Sequence, residues 1–230
     1  MTPPSDPPDD DPDRDGEGVE GVEAALGASS PAGKTVVRKR PKPGERRVQI
    51  LQTLAAMLEQ PGTERVTTAA LAAKLDVSEA ALYRHFASKA QMFEGLIDFI
   101  EQSVFSLVNQ IQDRESDPVV QVRKVLTALL QFGEKNPGMV RVMVGDALVF
   151  ENERLLARMS QFFDRIESHL RQSLRAAAEA GGSTTPTVDA NVRAAVLTAF
   201  AIGRLQRFAR AGFKRSPTEQ LDLALQLLVP

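Results

Sequence analysis

From residue 45 onward, apolar side chains recur three and four residues apart, and nowhere do they alternate convincingly with polar ones as a strand requires. That spacing puts them on one face of an α-helix, so the chain can bury them only by packing helix on helix. Breaks at Pro61-Gly62, Asp117-Pro118, Asn136-Pro137-Gly138, Gly181 to Pro186 and Ser216-Pro217 cut the pattern into separate rods. The first rod spans about Glu45 to Glu59, with Ile50, Leu51, Leu54, Ala55 and Leu58 facing inward. A fourth opens at Ser88-Lys89-Ala90-Gln91, where Ser88 and Gln91 can satisfy each other's backbone donors. Its stripe (Met92, Phe93, Leu96, Ile97, Ile100, Val104, Leu107, Val108, Ile111) covers more than five turns, enough to join one globular part to another. A fifth starts with Pro118 at its first position and carries Val122, Val125, Leu126, Leu129, Leu130 and Phe132. Met139 to Phe150 reads as a sixth. A seventh, capped by Asn152, buries Leu155, Leu156, Met159, Phe162, Phe163, Ile166, Leu170 and Leu174. An eighth runs from about Val188 to Ala211 with the stripe Val192, Ala195, Val196, Ala199, Phe200 and Ile202. A ninth opens at Ser216-Pro217-Thr218-Glu219 and buries Leu221, Ala224, Leu225 and Leu228. The last two are alanine-rich and apolar, which suits a four-helix interface between two copies of the chain, or alternatively closure of a single core.

The stretch before residue 44 is different in kind. Nine acids stand against Arg14 over residues 1–33, a net of −8, and seven bases against Glu45 over residues 34–47, a net of +6. The formal charge of −2 therefore hides an acidic tail and a basic arm. Rich in Pro, Gly and Asp and poor in large apolar groups, residues 1–43 are expected to be disordered. Ala28 to Thr35 nearly matches a phosphate-binding loop, but alanine replaces its first glycine and no strand precedes it. The beginning reads as no secretory leader, and no apolar run approaches the ~20 residues that span a bilayer. Without cysteine there are no disulfides or thiolate metal sites, which suits a reducing cytoplasm.

Within the helical part, Val66 to Phe86 has the spacing of a helix-turn-helix. Thr67 or Thr68 can cap a short helix whose Leu71 and Leu75 share a face. Asp76-Val77 makes the break, and Ser78 caps a second helix with Leu82 and Phe86 inward. Glu79, Ala80, Tyr83, Arg84 and His85 are left on or near the open side. Small residues at the start of such a helix can approach base edges, while longer side chains reach phosphates. Two short helices with a tight turn also occur in bundles that touch no DNA, so spacing alone leaves both readings open.

Leu82-Tyr83-Arg84-His85-Phe86 followed by Ser88-Lys89, with Phe93 beyond, resembles the TetR family of regulators. Five stretches are similar to its nucleoid occlusion branch: Ile50 to Ala55, Val77 to Phe86, Leu96 to Glu101, Phe132 to Gly138 and Arg207 to Lys214. They extend from about residue 45 to 222, and those in the C-terminal half weigh most because that half diverges strongly within the family. Asp76 departs from the glycine common in the turn, although Asp tolerates a left-handed backbone. The resemblance implies an all-α, TetR-like fold. A three-helix DNA-binding domain at 44–105 would precede a helical dimerisation and partner-binding domain at 106–230. It implies a cytoplasmic, nucleoid-associated homodimer, with one or more dimers per DNA site, that binds double-stranded DNA and blocks FtsZ assembly over the chromosome. DNA contacts would fall on Thr67, Thr68, Ser78, Glu79, Ala80, Tyr83, Arg84, His85 and Lys89, with Arg46 and Arg47 adding phosphate affinity. The FtsZ tail would lie between the fourth and fifth helices, near Phe99, Lys135 and Asn136. A ligand-responsive repressor with the same fold is the alternative.

An enzyme finds little support in the residues. There are two histidines, of which His85 belongs to the helix-turn-helix, and His169 sits among apolar helical neighbours. No nucleophile elbow or spaced metal-ligand set is visible, so no catalytic residue, metal or cofactor is expected.

Overall fold

The computed structural model describes residues 44–60 and 65–229. The acidic tail, most of the basic arm, the phosphate-loop near-match and the Pro61-Gly62 break lie outside the described residues. Helices follow one another as α1 (Glu45–Leu58), α2 (Thr68–Lys74), α3 (Glu79–Tyr83), α4 (Lys89–Arg114), α5 (Pro118–Lys135), α6 (Pro137–Met143), α7 (Glu153–Ala180), α8 (Pro186–Arg210) and α9 (Leu221–Leu228). The described residues contain no strand.

Local chemistry sets most of the helix starts. Thr67 Oγ1 accepts from the Ala70 amide at 3.1 Å and Ser78 Oγ from Ala81 at 3.3 Å, each satisfying an orphan donor of its helix. Asp117 Oδ1 takes the amides of Val119 and Val120, and Asn152 Oδ1 that of Arg154. At α4 the expected capping box is displaced by one residue. Ser88 accepts from Gln91, but Gln91 Oε1 reaches back to the Ala87 amide rather than to Ser88.

One continuous apolar core runs from Ile50 to Val229. α1, α2 and α3 enclose Ile50, Leu54, Leu71, Leu82 and Phe86 against the first turns of α4. α5, α7 and α8 pack on one another behind it, α4 reaching α5 and α7. At 26 residues α4 is about 39 Å long. The boundary expected at 105/106 falls inside this helix, at Phe105, which is buried against Phe162 although it stands outside the expected stripe.

Three expectations about the body are corrected. The sixth rod stops at Met143, not Phe150. Gly145 takes φ +85°, a short 3-10 turn covers Asp146–Leu148, and Val149 and Phe150 are left outside, 62% and 64% exposed. The ninth helix begins at Leu221, because Ser216 is drawn to Glu134 and Gln220 turns left-handed at φ +51°. Leu156 lies at the margin of the α7 stripe, 38% exposed. The face of α8 that enters the core carries Ala190, Ala194, Leu197, Ala201, Leu205 and Phe208, whereas the stripe Val192, Ala195, Val196 and Ala199 is turned outward, so it does not serve to close a single core. α8 is apolar on both sides, so its period could not say which side meets the rest of the chain.

Candidate nucleic-acid interface

α3 has only five residues, and its position depends on neighbours. From below, Leu82 and Phe86 anchor it in the core, Phe86 lying just past the helix end. Thr68 Oγ1 donates to Glu79 Oε2 at 2.6 Å and ties the start of α2 to the start of α3. Asp76 between them takes φ +54°, the left-handed turn that the sequence asked of this residue. From α1, Arg47 donates to the His85 carbonyl, and its guanidinium lies 4.1 Å from the centroid of Phe86. That stacking orients an arginine and covers the ring at once.

The result is an exposed strip made of Ser78, Glu79, Ala80, Tyr83 and Arg84, with Thr67 beside it and His85 half-buried at its edge. Tyr83 is 45% exposed. Arg84 and His85 follow the last turn rather than lying on the helix, Arg84 being its C-cap. The Arg84 side chain has no hydrogen bond or ion pair among the described residues, and it is exposed, so its charge faces solvent. Glu79 and Thr68 are engaged with each other, and Arg47 spends its fork on the end of α3. Arg46, half-buried, donates to Gln49 Oε1 at 2.6 Å. Lys89, at the first position of α4, is ion-paired with Glu151 and lies 5.6 Å from the Phe93 ring, its side chain only 18% exposed.

Of the three residues expected to face a protein partner, Phe99 and Asn136 each touch Phe132, one through its ring and the other through its backbone. Phe99 on α4 is half-buried, with its centroid 6.2 Å from that of Phe132 on α5. The Asn136 amide donates to the Phe132 carbonyl at 2.8 Å, closing the end of α5, and Lys135 beside it is exposed.

Sequence reasoning missed what connects the strip to the body. Glu94 pairs with Arg154 at 2.7 Å, while Asp98 and Glu101 both hold Arg158, at 2.6 and 2.7 Å. With Lys89–Glu151 these pairs form a ladder between α4 and α7 together with the turn that leads into it. The Glu101 and Asp98 carboxylates hold the Arg158 guanidinium above its ordinary value. The signal was there as acids at 94, 98 and 101 and arginines at 154 and 158, helical spacing on both sides. A second joint lies between α1 and α6. The Gly138 backbone packs directly on Ala55, Arg141 donates to the Leu58 carbonyl at 3.3 Å, and Glu59 accepts from the Gly138 amide. Burial raises the Glu59 carboxyl, and that amide bond opposes the rise.

Fold and strip together define a TetR-type DNA-binding protein. The family described as "Bacterial regulatory proteins, tetR family" matches residues 50–96, and the SlmA-like form of "Tetracyclin repressor-like, C-terminal domain" matches 116–230. Among solved structures, the TetR-family regulator PfmR from Thermus thermophilus superposes with a TM-score of 0.65 at 22% identity, covering 80% of this chain and 95% of that one. FadR from Bacillus subtilis, solved in complex with stearoyl-CoA, gives 0.62 at 13%, covering 79% and 96%. At that identity these two speak for the fold alone. Nucleoid occlusion factor SlmA of Photobacterium profundum is 52% identical over 188 residues, 81% of this chain and 95% of the relative. The SlmA of Vibrio cholerae is 53% identical over 178 residues, 77% and 90%. The chain belongs to the SlmA family of nucleoid occlusion factors.

Proposed function

We propose that two copies of this chain bind specific chromosomal sites through the strip around α3 and, while on DNA, block assembly of FtsZ over the nucleoid. The observation that carries this reading is the 52% identity over 95% of a relative named for nucleoid occlusion, with residues 116–230 matched as well as the helix-turn-helix. Agreement limited to the helix-turn-helix would speak only for DNA binding.

Physics divides the roles. Ser78, Glu79 and Ala80 at the start of α3 are small or short enough to let it approach base edges, whereas Tyr83, Arg84 and His85 extend towards the backbone. Thr67, Thr68, Arg46 and Arg47 flank the strip, the last serving mainly to hold α3 in place. Lys89 reaches phosphate only by giving up Glu151. Such a strip reads a few base pairs, and a second copy related by a twofold axis supplies the next half-site. The outward face of α8 supports that pairing, with Val188, Val192 and Val196 between 52% and 60% exposed, continued by Leu223 and Leu227 on α9 at 60% and 89%. Phe99, Lys135 and Asn136 are the proposed contacts for FtsZ, between α4 and α5.

Arg84→Ala should weaken binding to cognate and random duplexes alike and reduce the log–log salt slope by about one unit for each phosphate that is no longer neutralised. Fluorescence anisotropy at several salt concentrations reads both, and a change confined to site preference would assign Arg84 to base readout. The function itself is tested by sedimenting FtsZ polymers with this protein, with and without its cognate duplex. Polymer should fall only when DNA is present. No DNA-dependent effect, together with release of the duplex by a stoichiometric metabolite, would favour the ligand-responsive repressor.

A further inference from the structure

We propose that the corner where α8 turns towards α9 is a binding site for a phosphoryl oxyanion, held by Arg204, Arg207 and Arg215. The three guanidiniums border a recess of about 130 Å³ that Ser216, Pro217, Glu219 and Gln220 complete. Room for a five-atom tetrahedral group is available there, and its walls are almost wholly polar side chains and backbone.

Two features make the recess more than a basic patch. First, it is built. Arg204 Nη1 donates to the carbonyls of Pro217 at 3.1 Å and Glu219 at 2.6 Å, and the guanidinium lies 4.7 Å from the Phe200 centroid, which fixes its plane. The loop that presents these carbonyls is fastened at its other side. Ser216 and Thr218 both bond the Glu134 carboxylate of α5, and Gln220 holds a left-handed conformation. Second, its charge is not balanced. The single carboxylate on the rim, Glu219, is taken by Arg215 at 3.4 Å, and the Arg207 side chain has no hydrogen bond or ion pair among the described residues. Burial and then the charge of Arg207 push Arg204 below its ordinary value, with Arg215 adding to the effect and Glu219 opposing it. Three like charges gathered around a polar hollow are relieved by an anion inside it. Planar forks match the oxygens of a phosphoryl group two at a time, which neither chloride nor a lone lysine reproduces.

Phosphoryl oxygens reach such a corner from a free phosphate or phosphomonoester, or from a nucleic-acid backbone. The test uses the full chain. Orthophosphate is titrated during thermal melting against sodium chloride of equal ionic strength, and binding of a non-cognate duplex is measured in parallel. The midpoint should rise saturably with phosphate by several degrees and not with chloride. Both Arg207→Gln and Arg215→Gln should abolish that rise, and Arg207→Lys, which keeps charge but loses the fork, should weaken it several-fold. If the variants also lower duplex affinity and flatten its salt slope, the backbone is the source. If duplex binding is unchanged, it is a free phosphate. The proposal is overturned if phosphate and chloride act alike and the variants bind duplex as the parent does. It is equally overturned if the variants change only the oligomeric state, since the arginines would then serve a contact between copies. Arg207 is exposed, so its replacement leaves the core intact.

Discussion

Gly138→Ala should unfold the joint between the DNA-binding helices and the body, lowering the thermal midpoint by ~10 °C. A Cβ at this position would stand 2.1 Å from the Ala55 carbonyl oxygen and 2.9 Å from its carbon. Both are backbone atoms, so no rotamer change relieves the clash, and α1 and α6 must move apart. Overpacking costs about 1–3 kcal/mol where side chains can yield. Here the Glu59 bond to the Gly138 amide and the Arg141 bond to Leu58 are broken as well, which puts the expected cost at or above the top of that range. Scanning calorimetry checks it, and a midpoint within about 2 °C of the parent would show that the helices do not meet this closely. Operator affinity should fall with it, because the same joint sets where α1, and through Arg47 the end of α3, stands relative to the second copy.

Val196→Asp should convert the dimer to monomers and lower operator affinity by ~100-fold or more. Val196 is 52% exposed in the single chain, with Val192 one turn before it. An aspartate there costs the folded monomer little. At a twofold interface it appears twice among apolar neighbours, and an unpaired buried carboxylate costs several kcal/mol each time. A single α3 strip then has to hold DNA without its partner, and only phosphate affinity remains. Sedimentation velocity at micromolar protein gives the oligomeric state and anisotropy gives the affinity. Dimers of unchanged stability would remove the α8 face from the interface.

Much of the molecule could be read residue by residue along the chain. Thr67, Ser78, Asp117 and Asn152 cap their helices because a side-chain oxygen reaches an amide two or three residues ahead, a distance the sequence itself defines. Asp76 turns left-handed for an equally local reason. The buried residues of α1, α4 and α5, Phe105 apart, follow from helical period because each of these helices has one clearly apolar side. The exposed strip of the helix-turn-helix follows from the same rule, since Leu82 and Phe86 claim the inner side and leave Tyr83 and Arg84 outside.

What periodicity could not reach is set by which helix lies against which. Lys89 looks like a free phosphate contact until Glu151, 62 residues later, is seen beside it. Arg47 turns from a backbone anchor into a brace for α3 because Phe86 and the His85 carbonyl come to it in space. α8 offers two apolar sides, and only the packing of α5 and α7 decides that Ala194, Leu197 and Ala201 are core and Val192 and Val196 are surface. Local chemistry thus determined the helices, their caps and the exposed strip of the helix-turn-helix in this protein. Tertiary packing decided which charges remain available and which apolar side of α8 stays exposed, because both depend on neighbours distant in the chain.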